Sequence, residues 1–267
     1  MGRKFSLHLM RKILVWDLPV RLFHWTFAGS LSGALAIGFL VDDDSPLFQL
    51  HMLLGLVAVF ALAARLVLGV VGSRYNRFSA LPLAPGEVVA YLVGSVVGGA
   101  KRYIGHNPGA ALASLAMFAL VPLLIASGAG WMGGLGEELH EGLAIALLVA
   151  IGAHLAGIAW HTVRHREAIA LSMVTGMKDG PQAEGLKSAR PVWALAMLIG
   201  GGAWVAALFA NHDAAAGTVK LPLIGTVISL GENEGAEDSE ESEGGAGQKT
   251  EGGKNREHGK HGEKDDD

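Results

Sequence analysis

Four histidines stand in or at the ends of long apolar stretches: His24, His51, His140 and His154. Ionisable side chains are expensive inside a bilayer and mark function by default, and a neutral imidazole is a ready metal ligand. His140 and His154 are 14 positions apart, about 1400° of helical rotation at 100° per residue, roughly 40° short of four full turns. Both imidazoles therefore point to one face of one helix, about 21 Å apart along its axis at 1.5 Å per residue. His51 enters its own stretch at the depth of His140, and His24 enters the first stretch at the depth of His154. Two pairs result, His51 with His140 and His24 with His154. A low-spin haem b needs such a pair, one axial nitrogen for each face of its iron and a gap between helices for the macrocycle. Two haems stacked across a membrane would form an electron wire.

Other residues fall into place around these pairs. Arg65 lies 14 residues after His51, at the face and depth of the inner pair, where a guanidinium would pair a haem propionate; snorkelling to the surface is the alternative. His161 follows His154 by seven residues on the same face, placed to contact a propionate or a quinone headgroup, or simply to lie at the surface. His161 and His165 are spaced i, i+4 as metal ligands can be, but sit in a basic rim, His161-Thr-Val-Arg-His165-Arg. A zinc site of the H-E-x-x-H type is not formed, because His140-Glu141 lacks the second histidine. His8, His106, His212, His258 and His261 read as bland surface or loop residues.

The elements that must hold these groups follow from composition. Half the chain is hydrophobic (51%) and only 17% is charged, too apolar for an ordinary soluble domain. A hydrocarbon core about 30 Å thick needs roughly 20 apolar helical residues. Leu22 to Val41, Ala110 to Met132, Leu143 to Val163 and Pro191 to Ala210 supply that length without Asp, Glu, Lys or Arg, and Leu50 to Val71 is interrupted only by Arg65. These predict five membrane-spanning helices. Val88 to Val97 is too short to span and is expected along the surface, Thr218 to Leu230 is assigned no structure, and 231–267 reads as a disordered acidic tail. The first apolar run is too long for a signal peptide and ends in aspartates rather than a small-residue cleavage site. Glycines such as Gly29, Gly33, Gly55, Gly152 and Gly157 suit close helix approach, with or without a porphyrin between.

Charge fixes the expected orientation. Fifteen Lys and Arg lie in 1–21, 65–109 and 164–190, and none lies in the turns 42–49 and 133–142. The bias places the N-terminus inside and, after five spans, the acidic tail outside. From Gly231 onward 13 acidic residues face 5 basic ones, against 12 and 16 before it. No cysteine is present, so disulfides, iron–sulfur clusters, thiolate catalysis and covalently attached haem c are excluded.

With Val15-Trp-Asp-Leu-Pro-Val-Arg-Leu-Phe-His24-Trp opening the first span, His51-Met-Leu-Leu-Gly opening the second, Arg102-Tyr-Ile-Gly-His-Asn-Pro108-Gly before the third, and His140-x13-His154-x6-His161 through the fourth, the chain resembles bacterial di-haem cytochrome b561 and the b-type cytochrome subunits of nickel–iron hydrogenases. The resemblance covers about 12–180. It implies an all-α, integral-membrane four-helix haem-binding bundle with His24, His51, His140 and His154 as axial ligands of two haems b, exchanging electrons between a quinone and a redox partner protein. The expected division is therefore a di-haem domain over 1–180, an additional helix and short apolar segment over 181–230, and the tail. Candidate partners are membrane lipid, quinone, and a periplasmic cytochrome c, hydrogenase or other dehydrogenase; no nucleic acid is expected. The alternatives are an enzyme that reduces quinone with a small donor such as superoxide, and a haem-free transporter or channel using the histidines as a proton relay.

Overall fold

A computed structural model describes residues 11–43, 45–129 and 136–230. Strand β1 (Arg11–Leu14) leads into α1 (Leu18–Leu40), followed by α2 (Gln49–Val71), α3 (Pro85–Val97), α4 (Pro108–Gly128) and α5 (Gly136–His165). A short α6 (Ser172–Thr175), strand β2 (Met177–Gly180), α7 (Pro191–Ala210) and strands β3 (His212–Asp213), β4 (Thr218–Lys220) and β5 (Val227–Ser229) complete the order.

Five of these helices, α1, α2, α4, α5 and α7, are long and apolar enough to cross a membrane, and the chain is a multi-pass membrane protein. Their outward faces keep large apolar side chains such as Leu148, Val149, Leu155, Leu195 and Ile199 exposed, which suits lipid rather than water. Helix starts are written in local chemistry. Asp17 caps α1 by accepting the Val20 backbone N–H at 3.2 Å, Asn107 caps α4 through Ala110 N–H at 2.8 Å, and Pro85, Pro108 and Pro191 open their helices.

α1 packs along α2 and α4 along α5, while α7 lies against α1 and α2. The core between the two hairpins is built from Phe23, Phe27, Leu31, Ala58, Leu62, Val121 and Leu147. The end of the bundle carrying β1 is called basal here and the opposite end distal. α3 is a short apolar helix packed against α4, with Val89, Val93, Val96 and Val97 exposed.

Two small sheets go beyond the expected all-helical plan. At the basal end β1 pairs antiparallel with β2, Arg11 opposite Gly180 and Leu14 opposite Met177. Gly176, at φ +80°, makes the turn into β2, and a Cβ there would meet the Trp16 carbonyl oxygen at 2.7 Å. At the distal end β3, β4 and β5 form a meander, so 218–230 is structured, contrary to the sequence reading. Its segment is short and broken by Pro222, but Val219 and Leu230 find Leu53 and Leu56 of α2 and Leu208 of α7 to bury against. That tertiary contact is invisible to local pattern. The acidic segment 231–267 lies outside the described residues.

Candidate functional site

The distal ends of α1, α2, α4 and α5 surround an apolar pocket whose wall includes Leu31, Ala34, Gly55, Val121, Leu124 and Leu147, together with His51 and His140. The two imidazole rings meet edge-on, with planes 67° apart and centroids 5.9 Å apart. Metal–imidazole bonds of about 2 Å on opposite sides of one ion place the nitrogens about 4 Å apart and the ring centres about 6 Å apart.

The tautomers are fixed by what surrounds them. His51 Nδ1 lies 2.8 Å from the Ala34 carbonyl oxygen of α1, and His140 Nδ1 lies 3.0 Å from the Leu124 carbonyl oxygen and 3.1 Å from Ser127 Oγ of α4. A carbonyl can only accept, so each Nδ1 carries the proton and donates, and each neutral ring is left with a lone pair on Nε2. This outer hydrogen bond also orients the ring and makes Nε2 more basic, the usual arrangement of metal-ligating histidine. Two glycines make room. A Cβ on Gly38 would stand 3.2 Å from His51, and one on Gly128 would stand 3.0 Å from His140.

His24 on α1 and His154 on α5 lie within electrostatic reach of each other at the basal level. The His24 ring packs edge-on against Trp25 at 5.2 Å, and the Trp25 indole N–H donates to the Met173 carbonyl at 3.1 Å, tying this part of α1 to the chain after α5. The structure thus brings His51 beside His140 and leaves His24 within electrostatic reach of His154. Among the described residues no three His, Cys, Asp or Glu side chains converge as a metal site.

Arg65 does not snorkel. It is 3% exposed, with its guanidinium carbon 5.0 Å from the Phe78 ring centre, 5.7 Å from Phe118 and 5.9 Å from Phe23, and its Nη1 is buried without a hydrogen-bond partner. His161 is at the basal end of α5, away from the distal couple. Its Nε2 is 3.6 Å from Glu167 Oε2, and its ring is 4.5 Å from that of His165. Glu167 also holds Arg102 at 2.7 Å. His161, His165, Arg164 and Trp160 line a cleft of about 190 Å³ against Tyr91, Ser95 and Gly98 of the α3 region. The Trp160 indole donates to the Ser95 carbonyl at 2.9 Å and closes one side of it.

The sequence alone missed a buried polar floor at the basal end. Asp17, fully buried, accepts from Asn76 Nδ2 at 2.8 Å as well as capping α1, and its second oxygen lies 3.9 Å from Arg190 Nε. Lys178 is buried and donates to the Tyr103 carbonyl at 3.1 Å; burial lowers its pKa below the ordinary lysine range. His106, read from sequence as bland, stacks edge-on against Trp16 at 4.8 Å and reaches the Tyr75 backbone. Burial first, then the Arg65 and Lys178 cations, pull its pKa down to about 3, so it is neutral. The one sequence signal for its placement is Asn107-Pro108: a cap and an N1 proline fix the start of α4 and so hold the preceding residue in a defined position.

The profile of prokaryotic cytochrome b561 matches residues 15–176, from the residue after β1 through α6. The chain belongs to the prokaryotic cytochrome b561 family. Its place there makes it a membrane b-type cytochrome of electron transfer, and the four-helix core that carries both histidine couples falls within the matched residues. No curated protein and no solved structure matches the chain. α7 and the distal meander lie beyond the family match, as additions to the cytochrome b561 core.

Proposed function

We propose that this cytochrome holds two haems b, one between His51 and His140 and one between His24 and His154, and passes single electrons across the bacterial inner membrane between a quinone and a redox partner protein. The observation that carries the reading is the distal couple: rings 5.9 Å apart, each with Nδ1 committed to a backbone carbonyl and Nε2 left with its lone pair. The haem iron, when bound, supplies the one-electron couple; the protein fixes its ligands, excludes water and sets the potential through burial and hydrogen bonding.

Each named group has a part in that task. Ala34 and Leu124 carbonyls hold the distal imidazoles in one tautomer, and the apolar wall between the hairpins keeps water from them. Arg65, at the basal level, offers a cation to a propionate. The cleft beside His161 fits a quinone headgroup, with His161 as hydrogen-bond donor and Glu167 behind it to pass a proton. The basic basal end faces the cytoplasm on this reading. The acidic segment 231–267 faces the periplasm, where it would steer a basic partner such as a cytochrome c; a hydrogenase or dehydrogenase subunit is the other class of partner.

The test is optical. Purified protein should give reduced-minus-oxidised b-type bands and two haems per chain, and each of His24→Ala, His51→Ala, His140→Ala and His154→Ala should retain about one, since each breaks one of two bis-histidine sites. A colourless protein would end the haem reading, and retention of both haems in any of these variants would end that residue's assignment. For the tail, partner association should slow as salt rises and on removal of 231–267; rates indifferent to both refute the steering role.

A further inference from the structure

The turn between β4 and β5 puts its two largest apolar side chains outside the protein. Leu223 is 99% exposed and Ile224 74%, and Val227 at the start of β5 is exposed beside them. The tip is tightly closed, with the Leu221 N–H donating to the Thr226 carbonyl and the Gly225 N–H to the Leu221 carbonyl. Leu223 holds φ +71°, a left-handed conformation that glycine or asparagine adopts at less cost. A bulky apolar residue thus fills a turn position suited to a small or polar one.

The level of the hairpin follows from what its inner face touches. Val219, paired with Ile228, joins Leu230, Leu53, Leu56 and Leu208 in one apolar cluster, while Lys220 and Val227 form the next pair and face the other way. α7 has 20 residues, about 30 Å of helix, which matches the hydrocarbon core, so its distal end lies near the hydrocarbon boundary. Leu208 stands within the last turn of α7, and Leu53 and Leu56 stand about one and two turns inside the distal end of α2. The sheet therefore packs beside the ends of two spans. Its polar margin is Gln49, the first residue of α2, which meets His212 Nε2 at 2.7 Å and donates to the Ala214 carbonyl at 3.3 Å. β4 starts next to this margin, where a Cβ on Gly217 would stand 3.7 Å from Gln49 Nε2, and runs from it to the tip.

We propose that the β4–β5 tip is a lipid anchor: Leu223 and Ile224 enter the distal leaflet where headgroups meet acyl chains, and Lys220 reaches the lipid phosphates. A Cβ on Gly225 would stand 3.8 Å from Lys220 Cε, so the lysine stem lies along the tip, and the side chain is exposed. The sheet itself limits the depth. β3 and β5 are its edges, and hydrocarbon offers no partner to their outward N–H and C=O groups. Only the side chains of the tip go deeper than the headgroups. The anchor needs no haem, and it fixes the start of α2, the helix that carries His51, against the bilayer surface.

The chain has no cysteine, so single cysteines can carry a spin label without other changes. The experiment places one by Leu223→Cys, Ile224→Cys or, as a control on the exposed β3–β4 turn, Ala215→Cys, in the full chain in nanodiscs of phosphatidylethanolamine and phosphatidylglycerol. Molecular oxygen, which concentrates in lipid, should relax the label at the two tip positions more than a water-soluble nickel chelate does, and the order should reverse at the control. A fluorophore on the same tip cysteines should be quenched more by lipid with a nitroxide near the headgroup than by lipid with one near the chain end. Tip labels that favour the chelate, as the control does, would overturn the anchor by placing the tip in water. Tip labels shielded from both reagents and unquenched by either lipid would overturn it too, by showing a protein, a second copy or a partner, over the tip. Lys220→Gln in the Ile224→Cys chain should shift the ratio of oxygen to chelate toward that of the control; an unshifted ratio would overturn the part given to Lys220.

Discussion

His51 and Gly38 meet across the α1–α2 interface so closely that a methyl group on the glycine would stand 3.2 Å from the imidazole, and His140 and Gly128 repeat the relation across α4 and α5 at 3.0 Å. The distal couple is therefore set from behind as well as from in front. Gly128→Ala should push the His140 ring off its Leu124 carbonyl by a few tenths of an ångström and weaken the ligand it presents. Electron paramagnetic resonance should show one altered low-spin species and one unaltered. Two unaltered species would mean that the ring does not depend on that glycine.

Asp17 joins the start of α1 to Asn76 and faces Arg190 at the start of α7, all while fully buried. Asp17→Ala removes a helix cap and leaves Asn76 without its acceptor, a combined loss of about 2–4 kcal/mol. Asp17→Asn keeps the cap and should cost much less. Thermal unfolding in detergent micelles compares the two; equal midpoints would show that the cap is not what Asp17 contributes.

How much of this was legible beforehand divides along physical lines. The number and approximate limits of the long apolar helices were open to view because bilayer thickness and helical rise leave few alternatives. The role of 218–230 was not, because a strand of three residues gains its stability from Leu53, Leu56 and Leu208, far away in the chain. His106 was passed over for a related reason: only the folded loop lays it on Trp16 and beside Arg65. Arg65 was the reverse case, its place in an apolar helix open to view but its burial decided by Phe23, Phe78 and Phe118, which no helical period reveals.

Trp204 stacks on Phe60 at 5.6 Å, and its indole N–H donates to the Leu56 carbonyl at 3.2 Å, the chief polar and aromatic tie between α7 and α2. Phe60 is nine residues after His51, about half a turn away from it around α2. Trp204→Leu should therefore loosen α7 without touching haem content. A double-mutant cycle with Phe60→Leu should give a coupling of about 0.5–1.5 kcal/mol, and no coupling would deny the pair its role.

Val219 is completely buried in the distal meander. Val219→Asp places a carboxylate against Leu53 and Leu208 with no partner, so the meander should detach. Limited trypsin digestion should then cut at Lys220, while wild type resists. Equal resistance in the variant would show that the sheet survives without that contact.

The β1–β2 pairing sets an order of events during synthesis. Leu14 has no partner until Met177 has been made, and by then α1, α2, α4 and α5 have all been synthesised. The N-terminal strand waits through the making of the entire histidine-bearing bundle, and its pairing can come only after both couples exist. The basal clasp is in that sense a completion mark: its closure requires that the fourth long helix has already been made.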